Sequence, residues 1–170
     1  MMDILLVMNP QNSFFSPDGA VYMGEKADII KIRLIDYFSG FSNPIIFFRE
    51  KHALDDTFFI TDKTHSIANT SDSEIYEPLK KYASSFYDKT RYSAFYGTPL
   101  EMLLKQKGIK GVGLVGVETH TSILFTAEEL RNRGYEVTII EPLIASRDNF
   151  MHNSALSLMV NFLGIRMSNG

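Results

Sequence analysis

Residues 112–122 read VGLVGVETHTS, in which an apolar run, Val112 to Val115, passes through a short turn into a helical pattern, Ile123 to Arg133. A turn of this kind carries its last side chain out from the carboxyl edge of a parallel sheet. The first backbone N–H groups of the following helix point at the same spot and favour an anion there. Position 122 is therefore where an α/β enzyme would place a nucleophile. It holds Ser122, and the chain contains no cysteine.

Short apolar runs recur along the chain and are rich in β-branched residues. They lack the alternation of a half-exposed strand, so we expect strands that are buried on both faces. Segments with helical spacing separate them, which is typical of a parallel sheet covered by helices. The apolar runs predict four strands, at Ile4–Met8, Ile45–Phe48, Val112–Val115 and Val137–Ile140. Two further strands are predicted at Ser85–Asp88 and Ile165–Met167.

Local signals mark two helices and a long loop. Thr98 precedes Pro99 and Glu101, which together predict a capped helix start. A last helix is predicted over roughly 149–163, with Ala155, Leu158, Met159 and Phe162 on one stripe. Residues 54–73 are polar and show no period, which indicates a loop on the rim of the sheet.

Composition limits the classes of function. The chain has 170 residues with 45% hydrophobic content, which favours a single domain over 1–170. A formal net charge of -3 provides no basic field, so we expect neither nucleic acid nor a membrane surface as a partner. No apolar run approaches the roughly 20 residues of a membrane span, and we expect a cytoplasmic protein.

Four short motifs stand in order along the chain: LLVMNPQNSF at 5–14, KTRYSAF at 89–95, GVETHTS at 116–122 and ASRD at 145–148. Together they resemble the isochorismatase-like cysteine hydrolases, a superfamily with nicotinamidases, carbamoylsarcosine amidohydrolases and isochorismatases. The resemblance implies a three-layer, Rossmann-like α/β fold, with a six-stranded, mainly parallel sheet and helices on both faces. It also implies assembly into a homo-oligomer, a dimer or higher.

The resemblance also implies a catalytic set, which this chain only partly retains. The family's general-base aspartate, its lysine and its cysteine fall on Asn9, Lys89 and Ser122. An amide cannot accept a proton near neutral pH, and a serine hydroxyl needs a base within reach. We therefore expect a degenerate, catalytically impaired site that binds a small molecule or serves assembly. The alternative is an active small-amide hydrolase that uses Ser122, with Lys89 or His120 as its base.

Other residues in the matching motifs are candidates for a pocket. The resemblance suggests a cis peptide between Val117 and Glu118, which would aim the backbone N–H groups of Glu118 and Ser122 at an oxyanion. Aromatic rings beside the motifs could line a cavity for a planar ligand, although ordinary core packing would account for at least half of them. The candidate lining residues are Gln11, Phe14, Tyr92, Phe95, Thr119 and His120.

A metal site is the weakest of these candidates. Nicotinamidase-like relatives carry an Asp-x-His metal motif after the second strand, and Glu50, His52 and Asp56 occupy the matching stretch here. Two of the three ligand types differ and Lys51 lies among them, so a charged rim loop is the preferred interpretation. We predict no metal and no other cofactor. His65 and His152 fit no pattern.

Overall fold

The sheet predicted from the apolar runs is present. The structure, a computed structural model, describes residues 2–60 and 62–170. Six strands form one sheet in the order β3-β2-β1-β4-β5-β6, and every pairing between neighbouring strands is parallel. This confirms the predicted α/β fold. The strands are β1 Ile4–Met8, β2 Ile45–Glu50, β3 Ser85–Lys89, β4 Gly111–Val117, β5 Glu136–Ala145 and β6 Arg166–Ser168.

Helices cover both faces of the sheet because alternate strand residues bury toward opposite sides. Leu6 packs in a core with α4, α5 and α6, whereas Leu5 packs in a second core with α1, α2 and α3. Within residues 2–60 and 62–170, no helix is both long enough and apolar enough to cross a membrane. The helices are α1 Asn12–Phe15, α2 Glu25–Gly40, α3 Glu77–Lys80, α4 Leu100–Gln106, α5 Leu124–Asn132 and α6 Asn149–Ser157.

The last helix differs from its predicted stripe. It continues beyond α6 as a π-helical turn, Leu158–Phe162. A π turn inserts one residue per turn relative to the α-helix, which rotates later side chains away from the buried face. Ala155 and Met159 are buried as expected, but Leu158 is 51% exposed and Phe162 is 83% exposed. The prediction was therefore wrong for these two side chains.

The helix start near residue 98 is simpler than a capping box. Thr98 Oγ1 accepts a hydrogen bond from the Leu100 amide at 3.3 Å. Glu101 does not reach back to the cap, because its carboxylate pairs instead with Lys105. The Thr98 contact alone supports the start of α4, which begins at Leu100.

A close approach between β1 and β4 positions the turn that carries Ser122. Gly116 has a φ of +106°, and it pairs with Met8 across the two strands. A Cβ atom at Gly116 would lie 2.2 Å from the Met8 carbonyl oxygen, so only glycine fits there. A π-helical turn, Thr119–Ile123, follows and leads into α5.

Candidate functional site

Four polar side chains meet where the strands end at the carboxyl edge of the sheet. Asn9 follows β1, and Glu50 and Lys89 are the last residues of β2 and β3, paired with each other in register. Ser122 lies in the π turn after β4. Because β1 lies between β2 and β4, these termini converge, as expected for a ligand site in an open parallel sheet. We call these four residues the polar centre.

One carboxylate oxygen connects the polar centre. Glu50 Oε1 accepts hydrogen bonds from Asn9 Nδ2 at 2.9 Å, Lys89 Nζ at 3.0 Å and Ser122 Oγ at 3.1 Å. The Ser122 hydroxyl oxygen in turn accepts from Asn9 Nδ2 and Lys89 Nζ, each at 3.1 Å. The serine therefore donates to a carboxylate and accepts from an amide and an ammonium.

Burial and charge act in opposite directions on the pKa values of Glu50 and Lys89. All four residues are at most 2% exposed. Burial alone would raise the pKa of Glu50, but the Lys89 ammonium, followed by the neighbouring histidines, lowers this pKa well below its usual value. Burial lowers the pKa of Lys89, and Glu50 offsets only part of that shift. Glu50 is thus an ionised acceptor beside a cation that has lost its water.

Glu50 is itself held from two sides. Gln11 brackets the Glu50 backbone: its Nε2 donates to the Glu50 carbonyl at 2.7 Å and its Oε1 accepts from the Glu50 amide at 2.6 Å. His65 Nε2 contacts Glu50 Oε2 at 2.9 Å, and Phe14 packs edge-on against the His65 ring. Burial lowers the pKa of His65, but the Glu50 hydrogen bond and charge raise it overall. Gln11 and Phe14 therefore support the centre from behind.

Glu50, His52 and Asp56, the candidate metal ligands, are not arranged to hold a metal ion. His52 Nδ1 lies 3.1 Å from Asp56 Oδ2, so Asp56 faces the opposite side of the ring from Glu50. His52 Nε2 is buried 3.5 Å from Glu50 Oε2 and makes no hydrogen bond. A cation at Glu50 Oε2 would have to displace the His65 contact. Within 2–60 and 62–170, no three His, Asp or Glu side chains form a group that could hold a metal ion.

An open cleft lies beside the buried centre. It measures about 530 Å³ and shares the Thr119–Ile123 turn with Ser122. Tyr92 and Phe125 form one wall as stacked rings with centroids 5.5 Å apart. His120 faces this cleft, but its Nδ1 contacts Ser146 Oγ at 2.8 Å rather than Ser122. The further lining residues are Asp62, Glu118, Thr121, Arg147, Asp148 and Met151.

An ion-paired arginine closes one end of this cleft. Arg147 Nη1 and Nη2 contact the Asp62 carboxylate at 3.0 and 2.6 Å, which ties the rim loop to the end of β5. Its Nε and Nη2 contact Glu118 at 3.0 and 2.9 Å. Burial would lower the pKa of Arg147, but the two carboxylates raise it, so the guanidinium stays charged.

The remaining predicted pocket residues lie away from the cleft. Thr119 is fully buried and its Oγ1 lies 2.9 Å from His152 Nδ1. Phe95 packs against the core beneath the Arg133 guanidinium.

The peptide between Val117 and Glu118 is cis, and the Glu118 side chain is bound to Arg147.

The whole chain matches one known family. The isochorismatase domain family matches residues 3–169. The chain belongs to the isochorismatase family. This confirms the resemblance seen in the four sequence motifs.

Relatives within the isochorismatase family match over nearly the full length. The uncharacterized isochorismatase family protein PncA of Bacillus subtilis strain 168 is 26% identical, covering 99% of this chain and 100% of that protein. The crystal structure of nicotinamidase/pyrazinamidase PncA from Bacillus subtilis is 30% identical with a TM-score of 0.88, covering 99% and 100% of the two chains. The pyrazinamidase of Pyrococcus horikoshii in complex with zinc is 26% identical with a TM-score of 0.84, covering 97% of each.

Several residues of this site are not predicted from the sequence, among them Glu50, His65, Asp62 and Phe125. The sequence analysis names Glu50 only as a possible metal ligand, although a charged residue that ends an apolar strand run is a signal that it lies at the carboxyl edge of the sheet. His65 and Asp62 come from the rim loop, whose path carries no periodic signal. Their positions depend on tertiary contacts with Glu50 and Arg147.

Proposed function

We propose that this isochorismatase-family protein binds a small planar molecule and is impaired in thiol-dependent hydrolysis of C–N bonds. The observation that carries the proposal is the state of the Glu50 carboxylate, which Lys89 holds ionised and whose Oε1 already accepts three donors. A carboxylate with a strongly lowered pKa is a weak general base. Ser122 therefore has a hydrogen-bond acceptor but no effective base.

The arrangement of the other candidate bases supports the same proposal. Asn9 contributes only its amide N–H group to Ser122. The His120 ring is engaged with Ser146, so it is not available to take a proton from Ser122. A serine without a base is a far weaker nucleophile than a cysteine thiolate.

The cleft beside the centre supplies the binding surface in this proposal. The Tyr92 and Phe125 rings provide an apolar wall, and acidic side chains with one arginine provide polar contacts. Pyridine and pyrazine carboxamides are the first ligands to test, since a similar structure is named a nicotinamidase/pyrazinamidase.

The test measures binding and turnover on the same preparation. We expect nicotinamide, pyrazinamide or their acids to perturb NMR signals of cleft residues, while no ammonia is released. Phe125→Ala should weaken binding several-fold, because one stacking wall is lost. Phe86 is a matched control, since it is equally exposed at 45% but lies on β3 outside the cleft, and Phe86→Ala should leave binding unchanged. Ammonia release at rates typical of enzymes would overturn the impairment.

A second candidate function rests on the contact between Ser122 and Lys89. Lys89 Nζ lies 3.1 Å from Ser122 Oγ and its pKa is lowered by burial, so a neutral lysine could accept the serine proton. In that case the protein hydrolyses small amides through a serine–lysine pair. Ser122→Ala and Lys89→Met would then each abolish ammonia release. Turnover that survives Ser122→Ala would eliminate this candidate.

A further inference from the structure

The carboxylate of the polar centre comes from an unexpected position. The family resemblance implies an acidic general base at position 9 and an acidic metal ligand at position 50. Here position 9 is an amide, and the Glu50 carboxylate points into the centre instead. It contacts the two other residues that carry the chemistry, Lys89 at 3.0 Å and Ser122 at 3.1 Å.

The neighbours of Glu50 commit both of its oxygens. Oε1 accepts three donors and Oε2 accepts the His65 Nε2 contact at 2.9 Å. Gln11 fixes the Glu50 backbone through its amide and its carbonyl. A buried, ionised carboxylate is stable only when donors and an opposite charge compensate it, and Glu50 has both.

The amide at position 9 matches this placement. Asn9 Nδ2 donates to Glu50 Oε1 at 2.9 Å and to Ser122 Oγ at 3.1 Å. An aspartate at position 9 would set a second carboxylate against Glu50 in a buried site, and two such groups do not both ionise. Asn9 and Glu50 are thus complementary: one supplies the donor that the other requires.

We infer that Glu50 has taken over the carboxylate role of this centre from position 9, and that it positions the Lys89 ammonium and the Ser122 hydroxyl instead of binding a metal. Glu50 is a positioning residue in this scheme, because it acts on a ligand only through Lys89 and Ser122. The inference and the proposed function both rest on the ionised Glu50 carboxylate, but a thiol pKa tests the first, whereas ligand binding and ammonia release test the second, so the two failures are distinguishable.

A single introduced thiol reports on this arrangement. Ser122→Cys places the only cysteine of the chain against Lys89 and Glu50, and the ultraviolet absorbance of its thiolate gives its pKa without a labelling reagent. In Ser122→Cys alone we expect a thiol pKa at or above the usual value of about 8.5, because Glu50 already neutralises Lys89. A value below about 7 would contradict the inference.

When the Glu50 charge is removed, the Lys89 ammonium should stabilise the thiolate instead. In Ser122→Cys with Glu50→Gln we expect the thiol pKa to fall by about one unit or more. Ser122→Cys with Asn9→Asp should not lower the thiol pKa, because a second carboxyl group beside Glu50 supplies no positive charge to the thiolate. Asp88→Asn is the matched control: Asp88 immediately precedes Lys89 in β3 but pairs with Arg49, so the thiol pKa should not move. An unchanged thiol pKa with Glu50→Gln would overturn the inference.

Two further measurements guard against misfolding of the Glu50→Gln variant. Glu50→Asp keeps the charge but shortens the side chain by one methylene, so we expect a smaller fall in the thiol pKa than with Glu50→Gln. Calorimetric titration of the unaltered protein with zinc should show no stoichiometric binding. Stoichiometric zinc binding that disappears with Glu50→Gln would assign Glu50 to a metal site and overturn the inference.

Discussion

Two charged clusters at the carboxyl edge of the sheet differ in their contact with water. Around Glu50, the Lys89 and His65 partners are at most 4% exposed. Around Arg147, the guanidinium side chain is 30% exposed and the Asp62 side chain is 31% exposed. The first cluster stands between the strand ends, whereas the second borders the open cleft.

The difference separates two physical roles. Removing one partner from a buried ion pair leaves an uncompensated charge in a medium of low polarity, so the loss is large. Partly exposed pairs are screened by water and contribute less, but they can open and close at lower free-energy cost. The edge of the sheet therefore combines a rigid centre with an adjustable rim.

The largest effect is expected from breaking the buried cluster at Lys89. Lys89→Ala leaves the ionised Glu50 without its cation, and we expect the free energy of unfolding to fall by about 3–5 kcal/mol. Urea denaturation monitored by circular dichroism measures this loss. Lys105→Ala removes an exposed pair with Glu101 and should change the free energy of unfolding by about 0.3–0.5 kcal/mol. Equal losses in the two variants would show that the buried Lys89–Glu50 pair contributes no more stability than an exposed pair.

A smaller effect is expected at the rim. Arg147→Ala leaves the buried Glu118 carboxylate unpaired and frees Asp62, so the free energy of unfolding should fall by about 2–3 kcal/mol. Amide hydrogen exchange should rise in the rim loop, because Arg147 ties the loop to β5. Unchanged exchange on both sides of Asp62 would show that other contacts fix the loop.

The smallest effect is a dependence of stability on pH that His65 controls. The pKa of His65 is raised above 6.5 in the folded chain, so its pairing with Glu50 stabilises the fold fully below about 6.5 and less as the pH rises through the folded pKa. We expect the free energy of unfolding to fall over that window, and His65→Gln to remove this fall.

Denaturation at several pH values measures the difference. His152 is the control, because burial lowers its pKa and its ring contacts Thr119 rather than a carboxylate. His152→Gln should keep the fall on the alkaline side. If the free energy of unfolding of His65→Gln kept the same pH dependence, a group other than His65 would be responsible for the fall.

The sequence predicted the sheet well because its evidence is local. The β-branched runs at Ile4–Met8 and in β4 gave the strands and the position of Ser122, and hydrophobic periodicity requires no knowledge of distant contacts. The stripe on the last helix failed in part, because the π turn that rotates Phe162 outward leaves no mark in the apolar pattern.

The centre was only partly predictable because its contacts are not local. Lys89 and Ser122 followed from the family motifs, but Glu50 and Lys89 are 39 positions apart and meet only through the register of β2 with β3. Register in a parallel sheet depends on packing across both faces, which one sequence does not reveal. His65 reaches Glu50 from an aperiodic loop and could not be placed in advance.

The backbone at Asn9 restricts how this site can evolve. Asn9 has a φ of +50°, a left-handed conformation that glycine, asparagine and aspartate adopt readily and β-branched or bulky residues do not. Few substitutions at this position are therefore open to selection on steric grounds. Among these three, only asparagine donates a hydrogen bond to Glu50 without adding charge. With the Glu50 carboxylate placed as it is here, an acidic side chain at position 9 would require the Glu50 side chain to move, so we expect positions 9 and 50 to vary together among close relatives.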